Sequence, residues 1–560
     1  MLEIANVIVP VSSIPEASQE ARVVQEAVRR RLHLAPDAMA GIEIRRRSID
    51  ARKGHSVKFV YTVRFALRAA ESGEQALLRK LSRQRKAPQV QVALDSPEEL
   101  PSYKGTAPDD RPLVVGAGCA GLFCAWALAR QGLAPILIEQ GDDVVRRREA
   151  IDCFNETGQL DTRSNIQFGL GGAGTFSDGK LTTRTHGAHH DLIMETLVKA
   201  GANPEILVDA MPHIGSDVLP QVVSTLIKQI EAWGGQVRYR CKLEELVLEG
   251  SGDHRRIAGA RVMQSQAPKA QGVELLPRPE EIKASRVIMA CGHSARDVFE
   301  MAQALQVPLE PKTFSMGVRI EHLQREVDLC QYGEEAQSPL LGPASYKLVA
   351  KTSTGRRAYS FCMCPGGYVV AAASEAFGVV TNGMSLAARD GVNANAGLLV
   401  NVYPKDLDPQ DPLAGVALQR RCEQAAYEAG GGAFKAPAQL VGDFLEKRPS
   451  SGPGTVEPTY PRGVTWGSID GLLPGYIADT LREALPIMGR KLRCFNNPEA
   501  VLTGVESRSS SPIRLCRGQD FQSLGIRGLY PIGEGAGYAG GIMSAAVDGV
   551  NCAVAILKED

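Results

Sequence analysis

The 560-residue sequence lacks any apolar run long enough to form a membrane-spanning helix, which needs about 20 residues. It also lacks net charge, since 63 Lys and Arg balance 63 Asp and Glu. The N-terminal stretch contains prolines and acids where a signal peptide would have its apolar core. The twelve cysteines have no disulfide-framework spacing, which favours a reducing compartment. We therefore expect a cytoplasmic protein with no membrane span.

Metal-ligand spacing is missing as well. His186, His189 and His190 lie in the run HGAHHD, but two adjacent histidines cannot easily converge on one ion. We expect a polar loop here and no metal site.

The sequence does contain a glycine fingerprint, which follows a short apolar strand, Leu113–Val115. Gly116, Gly118 and Gly121 give the spacing G-x-G-x-x-G, and a helical pattern continues to Gly132. These glycines allow a tight turn, close approach to a pyrophosphate, and close packing of helix on strand. A second strand, Pro135–Ile138, ends at Glu139, at the distance past Gly121 where a carboxylate can accept the ribose hydroxyls. The pattern predicts a site for FAD or NAD rather than NADP.

A second glycine-rich stretch runs from Asn165 to Leu181 and is too rich in glycine for a stable helix or central strand. It could be a flexible surface loop. However, its regularly placed Ile, Phe and Leu residues indicate packing, and such backbone permits close approach to a flat or phosphorylated ligand. We favour a cofactor contact.

The C-terminal run Leu529–Ala545 predicts a strand, a tight turn at Gly533-Glu534-Gly535 and a helix that begins near Gly541. Together with the fingerprint, a helix-Gly-Gly-strand and a three-stranded meander, it resembles FAD-containing oxidoreductases of the glutathione-reductase type. The resemblance extends to the uncharacterised FAD-dependent dehydrogenases related to geranylgeranyl-reductase-like flavoproteins. It implies that Glu534 hydrogen-bonds the flavin ribityl chain, although Asp is commoner there. Two distant glycine turns favour FAD over NAD.

These patterns and the resemblance predict an α/β fold with a discontinuous Rossmann-like FAD-binding domain, an inserted α+β substrate domain and a small N-terminal α/β domain. The domain boundaries we expect are 1–95 for the N-terminal domain, 96–110 for a linker, 111–300 and 495–560 for the FAD domain, and 301–494 for the substrate domain. The predicted cofactor residues are Gly116, Gly118, Cys119, Ala120, Gly121, Glu139, Gln140, Gly172, Ala173, Gly174, Thr175, Lys180, Leu243, Ala290, Gly292, Gly533, Glu534, Gly540, Gly541 and Ile542.

Candidate catalytic residues lie in and just after the substrate domain. Strands at Ala358–Met363 and Tyr368–Ala373 predict a hairpin around Pro365-Gly366-Gly367. Cys362 and Cys364, two apart in a strand, would share a face, as a redox pair or as small buried residues. The polar run Val505–Arg514 is either a solvated turn or a site, in which Glu506 and Arg508 anchor the substrate. Pro449–Gly467 is predicted to be irregular.

The N-terminal region is basic, with 17 Lys and Arg against 9 Asp and Glu in residues 1–90. Its patterns predict strands at Leu2–Val11, Ile42–Ile49 and Val57–Leu67 and a helix over Ser18–Leu34. The basic face is either solvated or binds nucleic acid.

The whole sequence favours a FAD-dependent oxidoreductase that passes a hydride between flavin N5 and a small-molecule substrate. No second fingerprint follows a strand, so either NAD(P)H reaches the flavin as a transient electron donor or the electrons come from elsewhere. The alternatives are an RNA-associated flavoprotein and a non-catalytic FAD-binding protein. The sequence does not predict the oligomeric state.

Overall fold

Alternating apolar residues near the N-terminus build an antiparallel sheet. In the computed structural model, which describes residues 1–52, 55–85, 87–93, 99–103, 110–182, 189–265 and 276–559, its elements are β1 (Leu2–Pro10), α1 (Glu20–Leu32), β2 (Met39–Asp50), β3 (Lys58–Leu67), α2 (Ala70–Ser82) and β4 (Val90–Val92). The strand order is β2-β3-β1-β4. The predicted strands and first helix are confirmed with small shifts at their ends, whereas α2 and β4 were not predicted.

Short, wholly buried strands alternate with helices in the next part of the chain. The elements are β5 (Leu113–Val115), α3 (Cys119–Arg130), β6 (Ile136–Ile138), α4 (Val144–Thr157), α5 (His190–Lys199), α6 (Leu219–Ala232), β7 (Gln236–Arg238), β8 (Cys241–Glu249), β9 (Arg256–Gln264), β10 (Arg278–Lys283), β11 (Val287–Met289) and α7 (Arg296–Ala304). The predicted meander is confirmed as the antiparallel sheet β10-β9-β8.

The following region is built on a seven-stranded sheet with the order β14-β15-β18-β13-β21-β19-β20. Its core strands are buried on both faces because helices and loops cover them, and polar residues such as Arg319, Glu321 and Asn395 are buried among the apolar ones. The region's elements are β12 (Leu309–Pro311), β13 (Phe314–Leu323), α8 (Gln324–Tyr332), β14 (Val349–Lys351), β15 (Arg357–Cys364), β16 (Gly367–Ala371), β17 (Thr381–Ser385), β18 (Asn393–Val402), α9 (Ala414–Ala429), β19 (Ala436–Leu440), α10 (Val441–Leu445), β20 (Val464–Trp466), α11 (Gly475–Lys491), β21 (Val501–Glu506) and β22 (Ile513–Leu515).

The structure contradicts one local prediction in this region, refines a second and decides between two alternatives for a third. β15 and β16 do not form a hairpin, because β15 pairs with β14 and β18 while β16 pairs with β17. The stretch Pro449–Gly467 is not wholly irregular, since it supplies β20, which runs parallel to β19. The solvated-turn alternative for Val505–Arg514 fails because Glu506, Arg508 and Ser511 are buried.

The chain then returns to the first parallel sheet with β23 (Leu529–Pro531) and α12 (Ile542–Glu559). The five strands of this sheet run parallel in the order β23-β11-β5-β6-β7. Thus the C-terminal strand completes a sheet that begins at Leu113, which confirms the predicted discontinuous Rossmann-like domain with an inserted α+β domain. The domain boundaries stay predictions.

Arg47 joins the N-terminal sheet to the parallel-sheet domain. Its backbone exchanges hydrogen bonds with Val208 and Ala210, both 2.8 Å long, and its guanidinium pairs with Asp209 at 2.9 Å. Among the described residues, no helix is long and apolar enough to cross a membrane.

Candidate functional site

One cavity of about 720 Å³ extends along the carboxyl edge of the parallel sheet and continues against the seven-stranded sheet. Its wall contains the turn between β5 and α3, the 165–181 loop, the turn after β11, the start of α12 and the end of β15. In open α/β sheets, ligands bind outside the carboxyl ends of the strands. The cavity therefore lies where the fold is expected to hold a dinucleotide.

The glycine turn after β5 fits a pyrophosphate. Gly116 has φ +99°, and a Cβ on Gly121 would lie 1.9 Å from the Gly116 carbonyl oxygen. By contrast, a Cβ on Gly118 would meet only the Cα atom of Gly172, at an ordinary contact distance of 3.8 Å. Gly118 is the N-cap of α3 and offers no capping side chain, so the first N–H groups of the helix are available to an anion.

Glu139, at the end of β6, is buried and lines the cavity. Its carboxylate accepts hydrogen bonds from the backbone N–H groups of Ala117 at 2.8 Å, Gly141 at 2.9 Å and Gly169 at 3.0 Å. It therefore ties the glycine turn to the 165–181 loop. A carboxylate has about four lone-pair positions, so the three bonds leave capacity for the predicted ribose contact.

The 165–181 loop is packed, as its apolar residues predicted, and it is organised by an arginine that the sequence reasoning missed. Arg147 of α4 is fully buried and donates to five loop carbonyls, at distances from 2.6 to 3.3 Å; these belong to Asn165, Ile166, Gly169, Leu170 and Gly172. Burial lowers the pKa of Arg147 to about 9. In sequence, Arg147 is indistinguishable from its neighbours Arg146 and Arg148, so no local signal identified it.

The C-terminal motif closes the cavity from the other side. Gly533, Glu534, Gly540, Gly541 and Ile542 all line it, and a Cβ on Gly540 or Gly541 would meet no atom within 4 Å. This open space beside the start of α12 leaves room for the edge of a flavin ring, where the positive helix end would favour negative charge.

Glu534 has a histidine neighbour, His293, which was not among the predicted site residues. The Nδ1 atom of His293 lies 3.6 Å from Oε1 of Glu534, and its Nε2 hydrogen-bonds the Arg508 carbonyl at 3.0 Å. Burial lowers the pKa of His293 to about 4 and raises that of Glu534 to about 7. At neutral pH the imidazole is uncharged while the carboxyl is close to its titration midpoint.

The substrate-domain end of the cavity carries most of the charged chemistry. Lys180 forms an ion pair with Asp178 at 3.0 Å and donates to the Met363 carbonyl. Arg319, fully buried on β13, donates from Nη1 to both Glu506 carboxylate oxygens at 2.9 Å. Burial, only partly opposed by Arg319, raises the pKa of Glu506 to about 7. Arg319 was not among the predicted site residues, because the sequence of β13 alone does not show that this side chain pairs with Glu506 beside the cavity.

Arg508, the other predicted substrate anchor, lines the cavity but already has partners within the protein. Its guanidinium pairs with both oxygens of Glu423, at 3.1 and 2.8 Å, and donates to the Ser374 hydroxyl. Arg296 pairs with the same carboxylate at 2.7 Å. Arg508 thus belongs to a buried ion cluster in the cavity wall, and its role as a substrate anchor stays a prediction.

Most predicted site residues line this one cavity, including Glu506 and Cys362; the exceptions among the described residues are Gly121, Thr175 and Cys364. Gly121 is covered by the Gly116 carbonyl, Thr175 bonds within its own loop, and Cys364 lies behind Cys362, fully buried. Each supports the wall rather than forming it.

Two other predictions concern residues far from the cavity. Arg29, Arg45, Arg52 and Arg64 each pair with a carboxylate of the N-terminal domain, so much of the basic charge there is internally compensated. His186 lies outside the described residues, while His189 hydrogen-bonds Asn551 at 2.8 Å. In the described part of the chain, no group of three or more His, Cys, Asp or Glu could hold a metal ion.

Comparison with known proteins gives matches over most of the chain. Residues 313–509 match a family model described as FAD-dependent protein, C-terminal domain-like. Residues 114–152 match an NAD(P)-binding Rossmann-like domain, and residues 1–66 match a domain of unknown function. An "Uncharacterized protein" from Clostridium beijerinckii is 38% identical over 540 residues, which is 96% of each chain.

Solved structures with detectable similarity include three flavoprotein-related chains. A flavoprotein/dehydrogenase from Cytophaga hutchinsonii is 11% identical with a TM-score of 0.35, covering 80% of this chain and 79% of that one. A geranylgeranyl bacteriochlorophyll reductase-like protein from Thermoplasma acidophilum is 13% identical with a TM-score of 0.32 and the same coverage. Glycerol-3-phosphate dehydrogenase from Bacillus halodurans, complexed with FAD, is 13% identical with a TM-score of 0.31, covering 81% and 66%.

Proposed function

Because this chain belongs to the family of FAD-dependent proteins that includes its Clostridium beijerinckii relative, we propose that it is an oxidoreductase that passes a hydride between flavin N5 and a small-molecule substrate. FAD is its cofactor. The observation that carries the proposal is the continuity of one cavity from the Gly118 turn to Cys362 and Glu506. A cofactor bound along the glycine turns would reach the substrate-domain wall without leaving this cavity.

Different residues along the cavity would bind different parts of FAD. The α3 N-terminus and Gly118 would hold the pyrophosphate, and Glu139 the ribose. Gly540, Gly541 and the start of α12 would receive the flavin ring, with Glu534 at the ribityl chain. When bound, the flavin supplies hydride transfer at N5. The substrate would enter between the flavin position and the wall formed by Lys180, Cys362 and Glu506.

Protons can be held at two carboxyl groups of this wall. Both Glu506 and Glu534 have pKa values raised to about 7 by burial. A group that titrates near the working pH is suited to give or take a proton. Glu506 lies on the substrate-domain side of the cavity. We therefore assign it the proton that moves to or from a substrate oxygen or sulfur when the hydride is transferred.

The test is an anaerobic absorption spectrum of the purified protein, titrated with NADH and then with NADPH. We expect bound flavin bands that bleach on mixing with one of the two donors, in keeping with a transient nicotinamide visit. Flavin that resists both donors would contradict the nicotinamide step and point to reduction by the substrate itself.

A pair of glycine variants tests whether the pyrophosphate binds at the glycine turn after β5. Gly118→Ala would place a methyl group at the predicted pyrophosphate position, in ordinary contact with Gly172, and we expect soluble protein that has lost most of its flavin. Gly475→Ala is the matched control, because its Cβ meets no atom within 4 Å and lies at the start of α11. Equal flavin content in both variants would show that the pyrophosphate does not lie at Gly118.

A further inference from the structure

Two cysteines meet at a β-bulge on the substrate-domain wall of the cavity. From Phe361 to Cys364, β15 advances three residues while its partner β18 advances only two. The extra residue places Cys362 at φ +41°, a conformation that disfavours a side chain. In a regular strand, residues two apart are separated by about 6.6 Å, two rises of about 3.3 Å. Here the Cys364 thiol donates to the Cys362 carbonyl at 3.2 Å, and the two thiol groups lie near enough to influence each other's ionisation.

Two buried cations face this thiol pair. Arg319 Nη2 donates to the Cys362 carbonyl at 2.7 Å and contacts the Cys364 sulfur at 3.3 Å. Lys180 is held close by its bond to the Met363 carbonyl. Negative charge faces the pair too, from Glu506, from Glu534, and from Asp178, which Lys180 and Arg389 neutralise.

The two thiols are therefore chemically unequal. The neighbouring Cys364 thiol, together with the charges of Lys180 and Arg319, lowers the pKa of Cys362, whereas burial raises the pKa of Cys364. Only Cys362 lines the cavity. A low-pKa, accessible thiolate beside a second thiol is the arrangement used in thiol–disulfide exchange.

The other neighbouring thiols lack this arrangement. Cys124 neighbours Cys552 in the core between α3 and α12, and Cys330 neighbours Cys494, near enough in each case to influence the pKa of the partner thiol. Burial raises the pKa of Cys552 and of Cys494, and none of the four lines the cavity. Two thiols therefore lie near each other in all three pairs. Of the three, the pair of Cys362 and Cys364 is the one that also has a stabilised thiolate and access from the cavity.

We propose that Cys362 and Cys364 form a thiol–disulfide exchange pair that reduces a low-molecular-weight disulfide in this cavity. The Cys362 thiolate attacks one sulfur of the substrate, forms a mixed disulfide and expels the first thiolate, which takes the Cys364 proton. The Cys364 thiolate then attacks the Cys362 sulfur, which expels the second thiolate and closes a Cys362–Cys364 disulfide. The substrate gains two electrons and the pair loses two. Re-reduction of the Cys362–Cys364 disulfide by two electrons rests on the proposed oxidoreductase function, whereas the exchange reaction itself does not.

The direct test uses the full-length holoprotein, equilibrated with glutathione buffers of increasing disulfide content. The protein is then unfolded in N-ethylmaleimide, digested and mapped by mass spectrometry. We expect the peptide that contains Cys362 and Cys364 to lose both labels together and to become lighter by two hydrogens. Cys124, Cys330, Cys494 and Cys552 should stay labelled. Full labelling of Cys362 and Cys364 at every buffer ratio would overturn the proposal.

Three variants identify the attacking sulfur. Cys364→Ser should stop at a glutathione adduct on Cys362, and Cys362→Ser should form neither adduct nor disulfide. Cys153→Ser, which removes an exposed cysteine on α4, is the control and should leave the exchange unchanged. An adduct that forms on Cys364 in the Cys362→Ser protein would reverse the assigned roles and contradict the geometry.

Alkylation kinetics test the thiolate without any variant. At pH 6 an ordinary cysteine is about 0.3% thiolate, and a thiol with a pKa below about 7 is at least about 10% thiolate. Allowing for the lower nucleophilicity of a low-pKa thiolate, iodoacetamide should modify Cys362 about tenfold faster than Cys153. Lys180→Gln should move the Cys362 profile to higher pH. Equal rates for Cys362 and Cys153 would refute a stabilised thiolate.

Flavin content and reduction are measured in the same Cys362→Ser sample. Flavin that still binds and bleaches there would leave the oxidoreductase proposal intact even if exchange fails in the unmutated protein. Thiol–disulfide exchange in a protein that binds no FAD would support the exchange proposal and contradict the oxidoreductase proposal.

Discussion

Replacing Arg147 with methionine should release the loop that walls the FAD cavity. Methionine keeps much of the buried apolar stem but removes all donors to the five loop carbonyls that the guanidinium holds. These carbonyls lie in a glycine-rich segment with little intrinsic preference for one conformation. The hydrogen bonds of Arg147 are therefore what defines the loop.

The size of the effect follows from the burial of the group. A hydrogen bond to a charged partner contributes about 1.5–3 kcal/mol, but five bonds from one side chain are not additive. Removing one partner of a buried charged network costs about 3–5 kcal/mol. Some of this is regained because Arg147 is itself costly to bury, as its lowered pKa indicates. We expect a net loss of about 3 kcal/mol, and up to about 100-fold weaker FAD binding if loop order is lost on release.

The assay combines FAD titration of the apoprotein with urea unfolding of Arg147→Met. The matched control is Arg146→Met, which changes the adjacent arginine of α4 where it is exposed. The control should keep the FAD affinity and the unfolding midpoint of the unmutated protein. An Arg147→Met protein that binds FAD within about twofold of the control would refute the assigned role of the guanidinium.

Two further predictions concern buried carboxyl groups. Against the effect of burial, Arg508 and Arg296 hold the pKa of Glu423 at about 2, below its ordinary 4.5, so its stabilising contribution is present above pH 4.5 and lost as the pH falls towards 2. Glu423→Gln should therefore lose about 3–5 kcal/mol of unfolding free energy at pH 7 and much less at pH 3; equal losses in urea at both pH values would contradict this. Glu506, with its pKa raised to about 7, destabilises the fold increasingly as the pH rises from 4.5 to 7. Glu506→Gln should flatten that part of the stability curve and remove any step near pH 7 in the rate of substrate-linked flavin reduction, followed by stopped-flow absorbance; an unchanged pH profile would exclude Glu506 as the proton carrier.

The glycine turns and the strands around them could be predicted because their chemistry is local. Backbone that must turn tightly or approach a phosphate requires glycine at fixed spacing, so Gly116, Gly118 and Gly533 carry their meaning in the sequence. The alternation of apolar residues in β3 likewise follows from the two-residue period of a strand. These features depend on neighbours close along the chain, and the structure confirms them.

Side-chain partners across the fold could not be predicted in this way. Arg508 was expected to bind substrate, but Glu423 and Ser374, which lie far earlier in the chain, already occupy its guanidinium. Arg147 and Arg319 look like any other arginine of a helix or strand until the fold surrounds them with carbonyls and carboxylates.

The sequence by itself determined the cofactor class, the discontinuous parallel sheet and the position of the two cysteines along the chain. Only the tertiary structure decided that a β-bulge brings the Cys364 thiol to the Cys362 carbonyl and that Lys180 and Arg319 face the pair. The physical reason is range: turn and strand preferences act between near neighbours in the chain, whereas burial and charge pairing depend on groups that only folding brings together.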